Sequence, residues 1–280
     1  MELNEIISTL QSKTLQIEPS IFAELSKLKK GFVISGEEDR ANEIWFYETV
    51  ARVHSEFVRV YELLKDDEYE KYSTAWCQLE RIENEIGCIR ENYPERISEF
   101  SLSHIESTIF NLQRIFPYKL FFSRESVIKK SECSICHKET SIRHPCSHKA
   151  GRLYDGELCC VHIMEVKLLA VSVVENPADK FGLLRINGKR YNYTILQQLM
   201  KNWDNPFDEW SVEVLNVLKP EYRDTGRNST CPCGSKKKYK HCCFDTPNEK
   251  MEHFQLTIRN KPFLKTPMEV LRTTIPASNG

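Results

Sequence analysis

The stretch GRNSTCPCGSKKKYKHCC, residues 226–243, decides how the C-terminal part of this chain is organised. Its cysteines run Cys231-x-Cys233, eight residues, then Cys242-Cys243, four thiols within thirteen positions. Four thiolates so close in sequence can surround one Zn2+ tetrahedrally at S–metal distances of about 2.3 Å. Cys-Pro-Cys followed by Gly-Ser makes the tight turn that aims the first pair at the ion, and the intervening residues return the chain so that the second pair closes the site. No coordination position stays open, which is the mark of a structural site. A segment with so little apolar surface draws most of its folding free energy from the metal.

Working outward, the chain has 280 residues and eleven cysteines, of which Cys77 and Cys88 lie alone in a helical pattern. The other nine form two groups, five between residues 133 and 160 and four between 231 and 243. The N-terminus, MELNEIISTLQSK, is acidic and amphipathic, unlike a signal or transit peptide. A cytoplasmic location is therefore expected, where thiols stay reduced and short spacings read as metal ligands rather than disulfides. With 39 basic and 40 acidic side chains the formal net charge is −1, so the whole chain makes no electrostatic case for nucleic acid. No apolar run approaches the roughly 18 residues of a membrane span, and no membrane association is expected. At 40% apolar and 28% charged, the composition is that of an ordinary globular protein.

The first cysteine group reads Cys133-x2-Cys136, nine residues, Cys146-x-His148, then Cys159-Cys160 and His162. Cys-x2-Cys exposes two thiolates on one side of a turn, and Cys146 and His148, two apart in a loop, can complete a tetrahedron. The expected ligands are Cys133, Cys136, Cys146 and His148, with Cys159 in reserve, most readily in place of Cys146. His137 and His144 read as exposed loop residues, and Cys160 and His162 as packing or surface residues. The expected cofactors are two structural Zn2+ ions, one per group.

Residues 1 to about 125 read as helical. A helix opens at Pro19-Ser20 and is expected to stop at Gly31. From Glu38 to Lys65 an apolar stripe includes Ile44, Tyr47, Val50, Ala51, His54, Phe57, Val58, Tyr61 and Leu64. A second, from about Tyr69 to Arg90, includes Trp76, Leu79, Ile82 and Ile86, and a third, from Ser101 to Phe116, includes Leu102, Ile105, Ile109, Leu112 and Ile115. Three stripes with short connections predict an antiparallel bundle. Residues 36–100 hold 17 acidic and 8 basic side chains, a balance of −9, read as solvated helix faces and, as the sharper alternative, as a surface for a basic partner. VKLLAVSVV, residues 166–174, reads as a buried strand, and Asn187-Gly188 as a hairpin turn. Residues 195–203 read as a short helix, 210–218 as helix or strand, and FQLTIRN as a β-like run before a fraying tail. The fold class is α+β: an N-terminal helical bundle (1–125), a small zinc-stabilised α/β module (126–222), a C-terminal zinc knuckle (223–245) and an extension (246–280).

The residues from Gly226 to Cys243 resemble the SEC-C motif, the zinc-binding tail of the preprotein-translocating ATPase SecA, found also in many bacterial proteins that are not translocases. The match rests on G-R-N, C-P-C-G-S, K-K-Y-K and the final cysteine pair; Lys236 replaces the usual Gly, Cys243 takes the last ligand position, and His241 falls at a variable one. In SecA the tail docks a chaperone and the ribosome, and the resemblance implies a protein partner of that kind here. Arg227, Lys236, Lys237, Lys238 and Lys240 give the stretch a charge of +5 with no acidic side chain. Part of that charge balances the formal −2 of a zinc held by four thiolates, and the rest offers a contact for an acidic partner, or for phosphates beside Tyr239. Residues 133–180 further resemble the cysteine-rich segment of phage prohead protease-like proteins, which implies a phage component as a further partner. That resemblance transfers no protease activity: no G-x-S-x-G is present, and Ser172 falls mid-strand.

No phosphate-binding loop, dinucleotide glycine series, H-E-x-x-H or deaminase pattern is present. His54 and His104 lie on helices near Glu56 and Glu106, and Arg52, His54 and Arg59 could imitate a ribonuclease site, but such residues are common on amphipathic helices. The leading expectation is a non-catalytic zinc-binding adaptor that docks a protein partner. The alternatives are a nucleic-acid-binding protein that uses the basic knuckle, and a hydrolase or nuclease-like effector in phage defence.

Overall fold

The computed structural model describes residues 2–66, 68–184 and 191–259, together with the backbone of residues 264–267. The chain divides into two compact units, Met1–Phe110 with Tyr118–Lys189, and Asn111–Pro117 with Arg190–Gly280.

The first unit begins with helices α1 (Leu3–Gln11), α2 (Pro19–Ser35), α3 (Glu38–Lys65) and α4 (Tyr69–Asn92), and takes in the first part of α5 (Leu102–Ile115). α2 runs past Gly31, contrary to expectation, and ends at Gly36. Gly36 is left-handed (φ 75°), its N–H bonds the Val33 carbonyl, and the Glu37 N–H bonds that of Phe32, so the terminal carbonyls are satisfied there. Glycine at position 31 lowers helix propensity but supplies no such cap.

α3 is the centre of the bundle and packs against α2 and α4. Beyond its predicted stripe it also buries Trp45, Phe46, Val53 and Val60, so apolar residues cover most of its circumference. α5 buries the five stripe residues predicted for it, and the Phe57 ring of α3 meets His104 of α5 edge-on at 6.4 Å. Between α4 and α5 the backbone turns through Phe100 and Ser101, both at positive φ (52° and 59°). His54, fully buried on α3, donates Nε2–H to the Phe100 carbonyl at 2.6 Å, and Arg96 stacks on Phe46 with its guanidinium carbon 4.0 Å from the ring centre.

Burial pulls the His54 pKa below its ordinary value, so the folded imidazole stays neutral. In the unfolded chain it takes a proton below about pH 6.5. Its contribution is therefore complete above that pH and is lost as pH falls, at up to about 1.4 kcal/mol per unit. His54→Gln keeps an N–H donor for Phe100 without the titration. The stability difference between wild type and variant, read from urea midpoints, should move in favour of the variant between about pH 6.5 and 5.

The same unit contains β1 (Phe121–Cys133) and β4 (Val161–Val174), an antiparallel ribbon from Phe121↔Val174 to Cys133↔Val161 with three register irregularities. β1 begins inside the segment read as helical. β4 begins five residues before the expected strand and, contrary to expectation, is exposed along almost its whole length. At the ribbon's base Phe121 is buried, Trp76 stacks on it at 5.9 Å, and the Trp76 indole N–H donates to the Lys180 carbonyl at 2.7 Å.

β2 (Leu153–Tyr154) and β3 (Glu157–Leu158) form a two-residue hairpin through Asp155 (φ 48°) and Gly156 (φ 73°). Two positive φ angles suit such a turn to the twist of its strands. The Gly156 N–H donates to Asn42 Oδ1 at 2.8 Å, and a Cβ there would lie 2.9 Å from the Ala41 carbonyl of α3. Gly156→Ala meets both a left-handed φ that strains an L-residue and the Ala41 carbonyl of a helix backbone. It should lower stability by about 2 kcal/mol, measured by denaturant unfolding with the metal content held constant. The turn expected at Asn187-Gly188 lies outside the described residues.

In the second unit, α6 (Thr194–Asn202) lies within a residue of expectation, and residues 210–218 resolve as a strand, β5 (Trp210–Leu218). β5 pairs with β6 (Lys250–Ile258), and β6 with β7 (Leu264–Pro267), in a three-stranded antiparallel sheet. Its core holds Leu196, Leu199, Trp203, Phe254 and Leu256, all essentially inaccessible. The end of α5 is tied to β5, Arg114 donating to the Val212 carbonyl at 3.1 Å. Because Leu218 pairs with Lys250, everything from 219 to 249 is the connection of one β-hairpin. The second cysteine group lies within that connection, and the extension that follows it supplies β6, the central strand of the sheet.

Candidate metal centres

The first cluster forms where the ribbon ends. Cys133 is the last residue of β1, and its carbonyl accepts the His137 N–H at 2.9 Å, so the chain turns back with His137 at φ 56° and Cys136 facing the same point. The loop bearing Cys146 and His148 is held by Tyr154, whose ring meets the imidazole edge-on at 4.7 Å and whose hydroxyl accepts the Lys149 N–H at 2.9 Å. The C-terminal end of α4 anchors the next turn: Arg152 donates to the Glu91 carbonyl at 2.8 Å, and Asn92 donates to that of Gly151 at 2.9 Å.

These supports bring one ligand atom each from Cys133, Cys136, Cys146 and His148 within 4.8 Å of one another. Four donors about 2.3 Å from a central ion would be about 3.8 Å apart, so the group is of the size of a metal site. Two further observations suit a cation. The His148 Nδ1 is buried and has no hydrogen-bond partner among the described residues, a cost that a metal bond would remove. The Cys133 thiol is drawn down to about 6, chiefly by the Cys136 backbone N–H, and so is a thiolate at neutral pH.

Cys159 is also present. It is buried, its sulfur lies 3.8 Å from that of Cys133, and burial pushes its thiol up to about 11. It borders the quartet at Cys133. Cys160, His137, His144 and His162 are exposed.

The second cluster is the knuckle itself. A bridge between Thr230 and Lys238 closes its first loop, with Gly234 (φ 80°) and Lys236 (φ 62°) at the turning points. A short 3-10 turn, Tyr239–His241, then brings Cys242 and Cys243 against the first pair. One sulfur from each of Cys231, Cys233, Cys242 and Cys243 lies within 4.8 Å of the others, with Cys233 and Cys242 3.4 Å apart. The Ser235 hydroxyl and N–H draw the Cys233 thiol down to about 6, whereas burial pushes that of Cys243 up to about 12. One of the four is thus a thiolate at neutral pH, and Cys243 would have to surrender its proton to a bound cation. All eleven cysteines are free thiols.

The spacing of the cysteines does not reveal how this site is supported. Cys231 and Cys243 pack with Tyr222, on the short helix α7 (Pro220–Arg223), and with Tyr239 in a small buried cluster. The Tyr239 hydroxyl donates to Glu249, whose other oxygen accepts the Asp245 N–H at 2.9 Å. Glu249 is 4% exposed and stands one residue before β6, so the knuckle is bonded to the hairpin that contains it. The sequence signal was slight: one aromatic inside the cysteine stretch, and two distant partners that share no spacing rule with it.

Lys236, Lys237, Lys238 and Lys240 are all exposed. Arg227 is also exposed, with its guanidinium carbon 4.6 Å from the centre of the Phe244 ring. Among the other residues singled out, Arg52 pairs with Glu85 at 2.5 Å rather than joining His54, and Glu106 accepts from Arg90 at 2.6 Å. Ser172 pairs with Ser123 in the ribbon.

Comparison with known proteins matches the SEC-C motif at residues 227–245. The chain is 23% identical over 202 residues to the protein translocase subunit SecA of Ehrlichia canis and 22% identical over 202 residues to that of Ehrlichia chaffeensis. Each comparison covers 70% of this chain and 19% of the relative, so the chain spans a small part of the length of the curated relatives it matches. No solved structure matches. The chain carries a SEC-C motif, and its two cysteine-rich groups could hold metal ions. No helix among the described residues is long and apolar enough to cross a membrane.

Proposed function

We propose that this protein is a cytoplasmic, non-catalytic adaptor with two structural Zn2+ ions, and that its SEC-C knuckle docks an acidic face of a protein partner. The ligands are Cys133, Cys136, Cys146 and His148 at one site and Cys231, Cys233, Cys242 and Cys243 at the other. Four donors apiece leave no open position for a substrate, and thiolate-rich sets of this geometry suit zinc. The observation that carries the reading is the division of the knuckle into two sides. Cys231, Cys243, Tyr222 and Tyr239 are buried together, while four lysines stand in solvent. A bound zinc makes the thiolate set formally −2, less than the lysines and Arg227 supply, so a positive surplus remains for a partner. The SEC-C resemblance points to a partner of the chaperone or ribosome kind.

A nucleic-acid partner is the second reading, favoured by the exposed Phe244 beside Arg227, since an aromatic face with a cation can stack a base. Native mass spectrometry of the full chain drawn from lysate separates the two. The expected result is two zinc ions per chain and a retained protein, with Lys236→Glu/Lys237→Glu/Lys238→Glu losing the protein but keeping both ions. Retained nucleic acid, with affinity falling about 0.9 log unit per log unit of salt for each phosphate contacted, favours the second reading. Fewer than two zinc ions in the wild-type protein overturns the ligand assignment.

A further inference from the structure

The ribbon of β1 and β4 poses a problem that neither metal centre explains. A two-stranded antiparallel pair is marginal in water unless a third element covers it. Here Ile163, Met164, Val166, Leu168, Leu169 and Val171 of β4 each expose half or more of their surface. They lie on both sides of the strand, so one face cannot serve as an interior and the other as an exterior. The β1–β4 pair is a two-stranded sheet, so the outer edge of β4 has no strand beside it among the described residues. Exposed, apolar and without proline, that edge is a template for another strand.

We propose that the occupant is β4 of a second copy of this chain, paired antiparallel about a two-fold axis through Val166. The argument is the placement of charge. Within β4 the acidic and basic side chains, apart from His162, are Glu165 and Lys167, one on each side of Val166. With Val166 opposite itself, Glu165 faces Lys167 of the other copy and Lys167 faces Glu165, two opposite-charge pairs related by symmetry. A symmetric pairing can shift only in steps of two, because each residue must face one on the same side of the sheet. The shift one way puts Glu165 opposite Glu165, and the shift the other way puts Lys167 opposite Lys167, both repulsive. Residues 165–168 lie between residues 164 and 169, the two extra residues of β4, while the third irregularity, beside Val166, is the extra residue Lys129 of β1; the residues flanking 165–168 are apolar in both directions. The surface is thus complementary to itself, as a two-fold interface requires.

The edge of β1 is not an equivalent candidate. It carries Arg124, Glu125, Lys129, Lys130 and Glu132, and its adjacent lysines are the kind of charge that keeps an edge strand from pairing. A four-stranded sheet ordered β1, β4, β4 and β1 would leave the charged strands outermost. The pairing stands apart from the metal readings, since none of its residues is a candidate ligand.

Sedimentation of the full chain tests it. The wild-type protein should be a dimer. Glu165→Lys alone and Lys167→Glu alone each replace two attractive pairs with two repulsive ones and should weaken the dimer by about 10- to 100-fold. Glu165→Lys with Lys167→Glu in one chain restores two attractive pairs and should restore the dimer. Equimolar mixing of the two single variants should yield heterodimers, which also shows that each variant folds. A monomeric wild type, single variants as dimeric as wild type, or a mixture that stays monomeric overturns the proposal. The first of these outcomes would leave β4 to a different protein or to another segment of its own chain.

Discussion

Cys231→Ser is expected to reduce bound metal from two ions per chain to one and to unfold residues 219–249 while the β5–β6 pairing survives. Cys231 is buried, and its N–H bonds the Lys237 carbonyl at 2.8 Å, so the residue proposed as a ligand is also a pin of the first loop. The apolar support of the knuckle is one small cluster, Tyr222 and Tyr239 with the two buried cysteines. Structural zinc sites in small peptides supply about 10–16 kcal/mol, far more than two buried tyrosines can. The strands pair residue by residue from Trp210↔Ile258 to Leu218↔Lys250 and do not depend on the connection's shape. Mass spectrometry of metal content with amide exchange along the chain reads both parts. Retention of two ions with unchanged protection of 219–249 would refute the site. Acid should release the metal from both centres, because protons compete for the thiolates.

Cys133→Ser should disturb more of the chain, because this residue joins three structures. It ends β1, pairs with Val161 at the tip of the ribbon and contributes a donor to the first cluster. Loss of its thiolate should release the other ion, loosen the loop of Cys146 and His148, and lower the stability of the first unit by about 4 kcal/mol or more. Cys159→Ser distinguishes neighbour from ligand. With the proposed quartet the ion is retained and only burial is lost, whereas a released ion would move Cys159 into the ligand set. Denaturant unfolding and metal stoichiometry of the two variants, measured side by side, decide it.

How far the molecule was legible from its residues differs from element to element. The repeat of apolar residues located α3, α4 and α5, because a helix carries its own backbone bonds and needs only a buried face. Short spacings also picked out the two quartets whose donor atoms the structure brings within 4.8 Å, since a turn of two to four residues restricts where a thiol can point. β1 escaped notice because FFSRESVIKKSEC shows neither period cleanly, and its pairing partner lies 28 or more residues away in sequence. The β-branched run of β4 reads as a strand, and its continuous apolarity predicts a burial that the fold does not supply. Apolarity records what a surface would favour, and only the fold tells whether anything covers it.

What the sequence determined by itself was therefore local: the apolar stripes of α3, α4 and α5, and the cysteines close enough to share an ion. These depend on interactions within a few residues, where bond geometry leaves few choices. The tertiary structure decided that α3 is central, that the knuckle lies inside the β5–β6 hairpin and is bonded to it through Tyr239 and Glu249, and that nothing among the described residues covers β4 of the ribbon. Each of these joins residues far apart in the chain. No local pattern encodes such a pairing, because its free energy comes from surfaces that meet only when the rest of the chain has folded.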